Sequence, residues 1–228
     1  MEALSNHTNV VEVPAADLPL ITPFSCVCAG PSGSGKTSFI FKLLSNLQNI
    51  TSPPIEDVVY IFSEEQKIFK NFPNIYFTRD LKFLEIAPKR NTLIILDDLM
   101  GEVKNNQAIE KAFTKYVHHR GVSVILVLQN LFCRGDVLKT VRDNAHYFYF
   151  TEILQDIGKM EIFARQLDPR NVQYFHQSYQ DAVKEQYNGL FVDLHPKSKL
   201  RRSDLKVKFR SKVYQIVGQV LYIPTDLK

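Results

Sequence analysis

Residues 23–44, PFSCVCAGPSGSGKTSFIFKLL, decide the fold. A short apolar run, Phe24 to Ala29, ends on a glycine, and apolar residues return at helical spacing from Ser38 to Ile50. Between them GPSGSGKT, Gly30 to Thr37, fits G-x-x-x-x-G-K-[ST]. Strand, loop and helix follow one another. Gly30, Pro31, Ser32, Gly33, Ser34 and Gly35, with Lys36, Thr37 and Ser38 at the start of the helix, form an anion cradle of backbone N–H groups and a helix N-terminus. The glycines permit a close approach that a Cβ would block. Lys36 is placed to reach the β and γ phosphates of a nucleotide, and Thr37 to offer its hydroxyl to Mg²⁺. A nucleoside triphosphate, ATP before others, is the ligand this predicts. An ordinary Gly/Ser turn is the alternative, and the flanking strand and helix argue against it.

Further along, VVYIFS (Val58 to Ser63), TLIILDD (Thr92 to Asp98), VSVILVLQN (Val122 to Asn130) and AHYFYF (Ala145 to Phe150) are compact apolar runs. They read as parallel strands buried on both faces. NQAIEKAFTKYVHH, Asn106 to His119, sets Ile109, Phe113, Tyr116 and Val117 on one helical face, and a later helix is expected over Leu154 to Gln166. Strands alternating with helices predict an α/β, doubly wound, mostly parallel sheet. YNGLFVDLH, LKVKFRSKV and GQVLYIP add short C-terminal β-strands.

With 228 residues, 45% of them hydrophobic and 23% charged, the chain suits one domain with a sizeable core. Its expected parts are an extended, proline-punctuated arm over 1–23 (Pro14, Pro19, Pro23), suited to packing on a neighbour, a core over 24–196, and a basic β extension over 197–228. No apolar run approaches the roughly 20 residues of a membrane span, and the first residues lack the pattern of a secretory leader. The three cysteines, Cys26, Cys28 and Cys133, show neither a disulfide framework nor metal-ligand spacing. A net charge of +4 does not by itself imply a nucleic-acid partner. It is concentrated at Lys197, Lys199, Arg201, Arg202, Lys206, Lys208, Arg210 and Lys212, around Asp204. That run suits DNA phosphates and equally a solvated edge hairpin protected from aggregation. His118 and His119, adjacent on a helix, are assigned no metal.

LIILDD ends a buried strand with two carboxylates, at the edge where open parallel sheets hold ligands. Asp97 is expected to hold Mg²⁺, through water. Asp98 is expected to orient or deprotonate the attacking water, unless it only caps the next segment. VSVILVLQN ends in polar side chains, Gln129 and Asn130; resemblance to the P-loop class with an extra strand between the loop strand and the acidic strand implies that Gln129 senses the γ phosphate. A strand-end amide satisfying loop backbone is the other reading of Gln129.

GPSGSGKT, NTLIILDDLM, HHRGVSVILVLQNLF, RDNAHYFYF, FARQLDP and YNGLFVDLHPKSKLRR, in this order over roughly residues 23–205, resemble a viral genome-packaging ATPase of the FtsK and HerA superfamily. The likeness is to the poxvirus-type branch of double-jelly-roll viruses and Maverick or Polinton elements. It implies a Mg²⁺-dependent ATPase with the extra strand. It further implies a homo-oligomeric ring of five or six subunits that moves double-stranded DNA into a preformed capsid, inside the host cell or associated with the virion. An arginine acting on the neighbour's nucleotide is also implied, and Arg120, Arg142 and Arg165 are the candidates, in that order of preference. Each is equally suited to a surface ion pair. Asp136, in RGDVLKTV, departs from the more basic segment of relatives, and residues 213–228 do not align. A nucleotide-gated DNA- or capsid-binding switch with little turnover is the alternative reading. A small-molecule phosphotransferase would need an arginine-rich lid, and the sequence shows no clear candidate.

Overall fold

The computed structural model describes residues 2–5, 8–13, 19–86, 89–99, 101, 106–132, 135–153, 157–198, 211–215 and 218–224. The chain begins with strands β1 (Glu2–Ser5), β2 (Thr8–Val13), β3 (Leu20–Ile21) and β4 (Ser25–Ala29). After the glycine-rich loop come α1 (Lys36–Ser45), α2 (Leu47–Ile50), β5 (Thr51–Ser52), β6 (Asp57–Phe62), β7 (Tyr76–Thr78) and β8 (Thr92–Asp97). Helix α3 starts as an α-helix over Gln107–Lys111, capped by Asn106 Oδ1 accepting the Ala108 N–H at 2.8 Å, and continues as a π-helix over Ala112–Arg120. It leads through Gly121, at φ 69°, to β9 (Ser123–Leu128). Then follow α4 (Asp136–Asn144), β10 (Tyr147–Thr151), α5 (Ile157–Leu167), α6 (Val172–Ala182), β11 (Gly189–Asp193), β12 (Ser211–Gln215) and β13 (Gly218–Pro224).

Eleven strands make one sheet in the order β1-β2-β13-β12-β11-β10-β4-β9-β8-β6-β7. From β10 to β7 every pairing is parallel, and from β10 outward through β11 to β1 every pairing is antiparallel. β9 lies between β4 and β8, the extra strand expected between the loop strand and the acidic strand. β4, β8, β9 and β10 are buried along their whole length. Alternate residues feed two cores. Val27, Ile94, Leu96, Val124, Leu126, Phe148 and Phe150 pack with Phe113 of α3, Val141 of α4, Phe163 of α5 and Phe175 of α6. Cys26, Cys28, Leu93, Ile95, Ile125, Val127, Tyr147 and Tyr149 pack with Phe39, Phe41 and Leu43 of α1. Helices on both faces explain why these strands are continuously apolar rather than alternating. Cys26 and Cys28 are buried free thiols. No described helix is long and apolar enough to cross a membrane.

Several elements depart from the sequence reading. α4 covers Asp136–Asn144, a stretch to which the sequence reading assigns no element, and only three of its side chains, Val137, Leu138 and Val141, are buried. α6 went unread although Tyr174, Phe175, Ser178, Tyr179 and Ala182 share its buried side. β2 pairs with β13 of the same chain over Thr8 to Val13, and so belongs to the main sheet. Cys133 and the basic residues Lys199, Arg201, Arg202, Lys206, Lys208 and Arg210 lie outside the described residues.

Candidate functional site

The loop after β4, the start of α1 and the carboxyl ends of β8 and β9 enclose a cavity of about 160 Å³, into which Lys36, Thr37, Asp97, Asp98 and Gln129 face. The loop is held from the sheet. Ser34 Oγ donates to Pro31 O at 2.7 Å and lies 2.6 Å from Thr151 Oγ1, at the end of β10. A Cβ at Gly30 would collide with that Thr151 hydroxyl. Gly35 adopts φ 94° at the start of α1, and a Cβ there would stand 3.0 Å from Tyr187. Both glycines are therefore required by shape, one for space and one for its left-handed backbone as well.

Lys36 Nζ donates to the carbonyls of Gly30 and Pro31, at 2.7 Å each. Burial lowers its pKa, opposed by the neighbouring Cys28, Asp97 and Asp98. Asp97 is 5% exposed, and its Oδ2 accepts the Tyr60 hydroxyl at 2.6 Å. Its pKa is raised by burial first, with the Tyr60 hydrogen bond pulling the other way and Asp98 adding to the rise. In a regular strand consecutive residues point to opposite faces. Asp98 escapes that rule with φ 55°, a left-handed conformation that aspartate tolerates better than most residues. Both carboxylates thus line one cavity. Gln129 Nε2 donates to Asp98 Oδ1 at 3.1 Å, and Ser63 Oγ lies 3.4 Å from Asp98 Oδ2.

Among the described residues lining the cavity, two are carboxylates and one, Lys36, is a cation. Asp97, whose ionised form is disfavoured by burial, and the Thr37 hydroxyl line this cavity as oxygen donors suited to a hard divalent cation. The residues present fit Mg²⁺.

None of the three arginines lines this cavity. Arg142 Nη1 donates to Leu131 O at 3.0 Å, tying α4 to the loop after Gln129. Arg165 pairs with Glu161 one helical turn away, at 2.5 Å. Arg120 lies 4.5 Å over the Tyr116 ring and lines a separate cavity of about 920 Å³ with Lys111, Lys115 and Glu85. Nine residues are about two and a half turns of an α-helix, which would set Arg120 opposite Lys111. The wider π-helical winding of Ala112–Arg120 instead brings spacings of four and five onto one basic face.

Sequence reasoning missed Tyr60, Ser63 and Thr151. Ser63 carried a signal, since it ends the VVYIFS run as Asp98 ends LIILDD. Tyr60 and Thr151 carried none, because their roles depend on strand order.

No family model and no curated protein sequence matches the chain. Solved structures do. The genome packaging NTPase B204 of Sulfolobus turreted icosahedral virus 2, in complex with sulfate, matches with a TM-score of 0.53 at 16% identity, over 76% of this chain and 92% of that one. B204 of Sulfolobus turreted icosahedral virus, a DNA-packaging ATPase, matches with a TM-score of 0.53 at 15% identity, over 76% of this chain and 93% of that one. At these identities the likeness is one of fold: this chain has an α/β P-loop NTPase fold.

Proposed function

We propose that the chain is a Mg²⁺-dependent ATPase of the FtsK and HerA type that translocates double-stranded DNA, packaging a viral genome into a preformed capsid as a homo-oligomeric ring. The observation that carries the hydrolytic part is the Gln129–Asp98 hydrogen bond across the cavity that also holds Lys36 and Asp97. Packaging rests on the resemblance of the motif blocks and on the shared fold of B204, named a genome packaging NTPase.

The chain's own residues divide the work. The loop amides and the start of α1 bind the phosphates, and Lys36 exchanges its two carbonyl partners for phosphate oxygens. Thr37 and, through water, Asp97 would hold Mg²⁺, which would supply neutralisation of phosphate charge when bound. Asp98, kept off the metal and oriented by Gln129, takes the proton of the attacking water. Ser63 steadies its second oxygen. Since Lys36 is the cation of this cavity, further positive charge for the transition state comes from a neighbouring subunit, an arginine worth about 10³–10⁵ in rate where such fingers operate. Arg120 is preferred, because it stacks on the Tyr116 ring at the rim of an open basic cavity, whereas Arg142 is hydrogen-bonded and Arg165 ion-paired within the chain.

Asp98→Asn tests the assignment. It keeps the shape and the Gln129 contact but removes the base, so nucleotide affinity persists in titration calorimetry while turnover falls by about 10²–10⁴. Normal hydrolysis by Asp98→Asn would remove Asp98 as the base. A chain that binds nucleotide with no measurable turnover in any state is the switch rather than the motor.

A further inference from the structure

Tyr187 stands beside the phosphate loop, on the flank away from the two carboxylates. It ends the turn before β11, in which Asn188 N donates to Glu185 O at 3.1 Å and Asn188 Nδ2 donates to Glu185 Oε2 at 2.9 Å. Two features set it apart. Its backbone is left-handed at φ 67°, a conformation rare for a bulky aromatic residue, and its side chain is 51% exposed although aromatic. Its Cβ and Cδ1 lie 3.0 Å from where a Gly35 Cβ would be, so the absent side chain of Gly35 is what lets the tyrosine approach. One edge of the ring is pinned to the loop and the rest faces solvent.

The sheet order gives this position a direction. β11 and β10 lie on one side of β4, and β9 and β8 lie on the other. A triphosphate in the loop with its terminal phosphate toward Asp97 and Asp98, at the end of β8, points its nucleoside the opposite way, over β10 and β11. We propose that the Tyr187 ring is the stacking platform for the nucleotide base. This rests on the nucleotide-binding reading of the cavity. The platform reads no base edge, since every base has a π-face. ATP and GTP therefore gain from it alike, and inorganic tripolyphosphate gains nothing.

The experiment titrates the full chain, with Mg²⁺, against ATP, GTP and inorganic tripolyphosphate, using wild type, Tyr187→Phe and Tyr187→Gly. Wild type binds ATP and GTP at least about tenfold more tightly than tripolyphosphate, Tyr187→Phe keeps that gap, and Tyr187→Gly closes it by about tenfold without changing tripolyphosphate affinity. Glycine also relieves the positive φ, so Tyr187→Gly melts no lower than wild type while binding ATP more weakly, a pairing that a merely structural role would not produce. Unchanged ATP affinity in Tyr187→Gly overturns the proposal, including the case in which only the oligomeric mass changes and the ring is a contact between copies. Equal wild-type affinity for ATP and tripolyphosphate overturns it while leaving the phosphate loop intact. Failure to bind either ligand removes the nucleotide reading beneath it.

Discussion

At the carboxyl ends of β4, β8 and β9, Lys36, Asp97 and Asp98 crowd one cavity, whereas the amino ends of β4, β9 and β10 hold polar groups that satisfy one another. There Ser123 Oγ accepts the Phe24 N–H at 3.2 Å, and Ser25 Oγ donates to Asn144 O at 2.7 Å. His146 Nδ1 faces the Ser25 N–H at 3.4 Å, with its ring 4.6 Å from His195 and 5.7 Å from His118. Burial, then the two neighbouring imidazoles, hold its pKa down to about 4. The same strands thus carry a hydrogen-bonded polar network at one end and partly buried carboxylates and a lysine at the other. Closed networks stabilise a fold, while charges held together out of water cost stability and are retained where chemistry needs them.

Substitutions at the two ends should therefore part company: turnover moves at one, stability at the other. The largest effect is expected from Lys36→Ala, with phosphate release in steady state falling by at least about 10³ because the phosphates lose the cation the loop supplies. A Lys36→Ala chain that still turns over at the wild-type rate would break the contrast outright. Gln129→Ala leaves Asp98 to be oriented by Ser63 alone, so kcat drops by about ten- to a hundredfold with KM little changed. At the amino edge, Ser123→Ala strands the Phe24 N–H and lowers unfolding free energy by about 1–3 kcal/mol in a denaturant melt, with kcat unaltered. The last prediction concerns pH. The folded-state pKa of His146, about 4, lies below its ordinary 6.5, so this group's contribution is fully present above about 6.5 and is lost as pH falls toward 4. Melting temperature should fall over that window, and His146→Asn should flatten the slope there.

The sequence made much of the site legible and little of its geometry. Gly30 to Thr37, Asp97, Asp98 and Gln129 were readable because phosphate and metal chemistry restrict residue type and spacing, and because each group ends an apolar run. The parallel strands were visible, but their order was not readable from periodicity. Leu93 and Ile95 on one face of β8 are as apolar as Ile94 and Leu96 on the other, so only the resemblance placed β9 between β4 and β8. The left-handed turn at Asp98 had no sequence signal, and strict alternation would have sent the carboxylate to the wrong face. The π-helix was equally hidden, since Phe113, Tyr116 and Val117 suit α-helical spacing. Arg120 was a sequence candidate without any hint that its winding aligns it with Lys111 and Lys115.

The claim that joins these parts is that hydrolysis in the Lys36–Asp98 cavity is driven by DNA in an assembly where a neighbour completes the site. Steady-state phosphate release by the wild-type chain, with and without duplex DNA and with Asp98→Asn as the blank, tests it most directly. Slow turnover without DNA, a severalfold rise with duplex that steepens with protein concentration and falls with salt, and no rise in the Asp98→Asn variant are the predicted results. Turnover indifferent to both DNA and protein concentration would contradict the account.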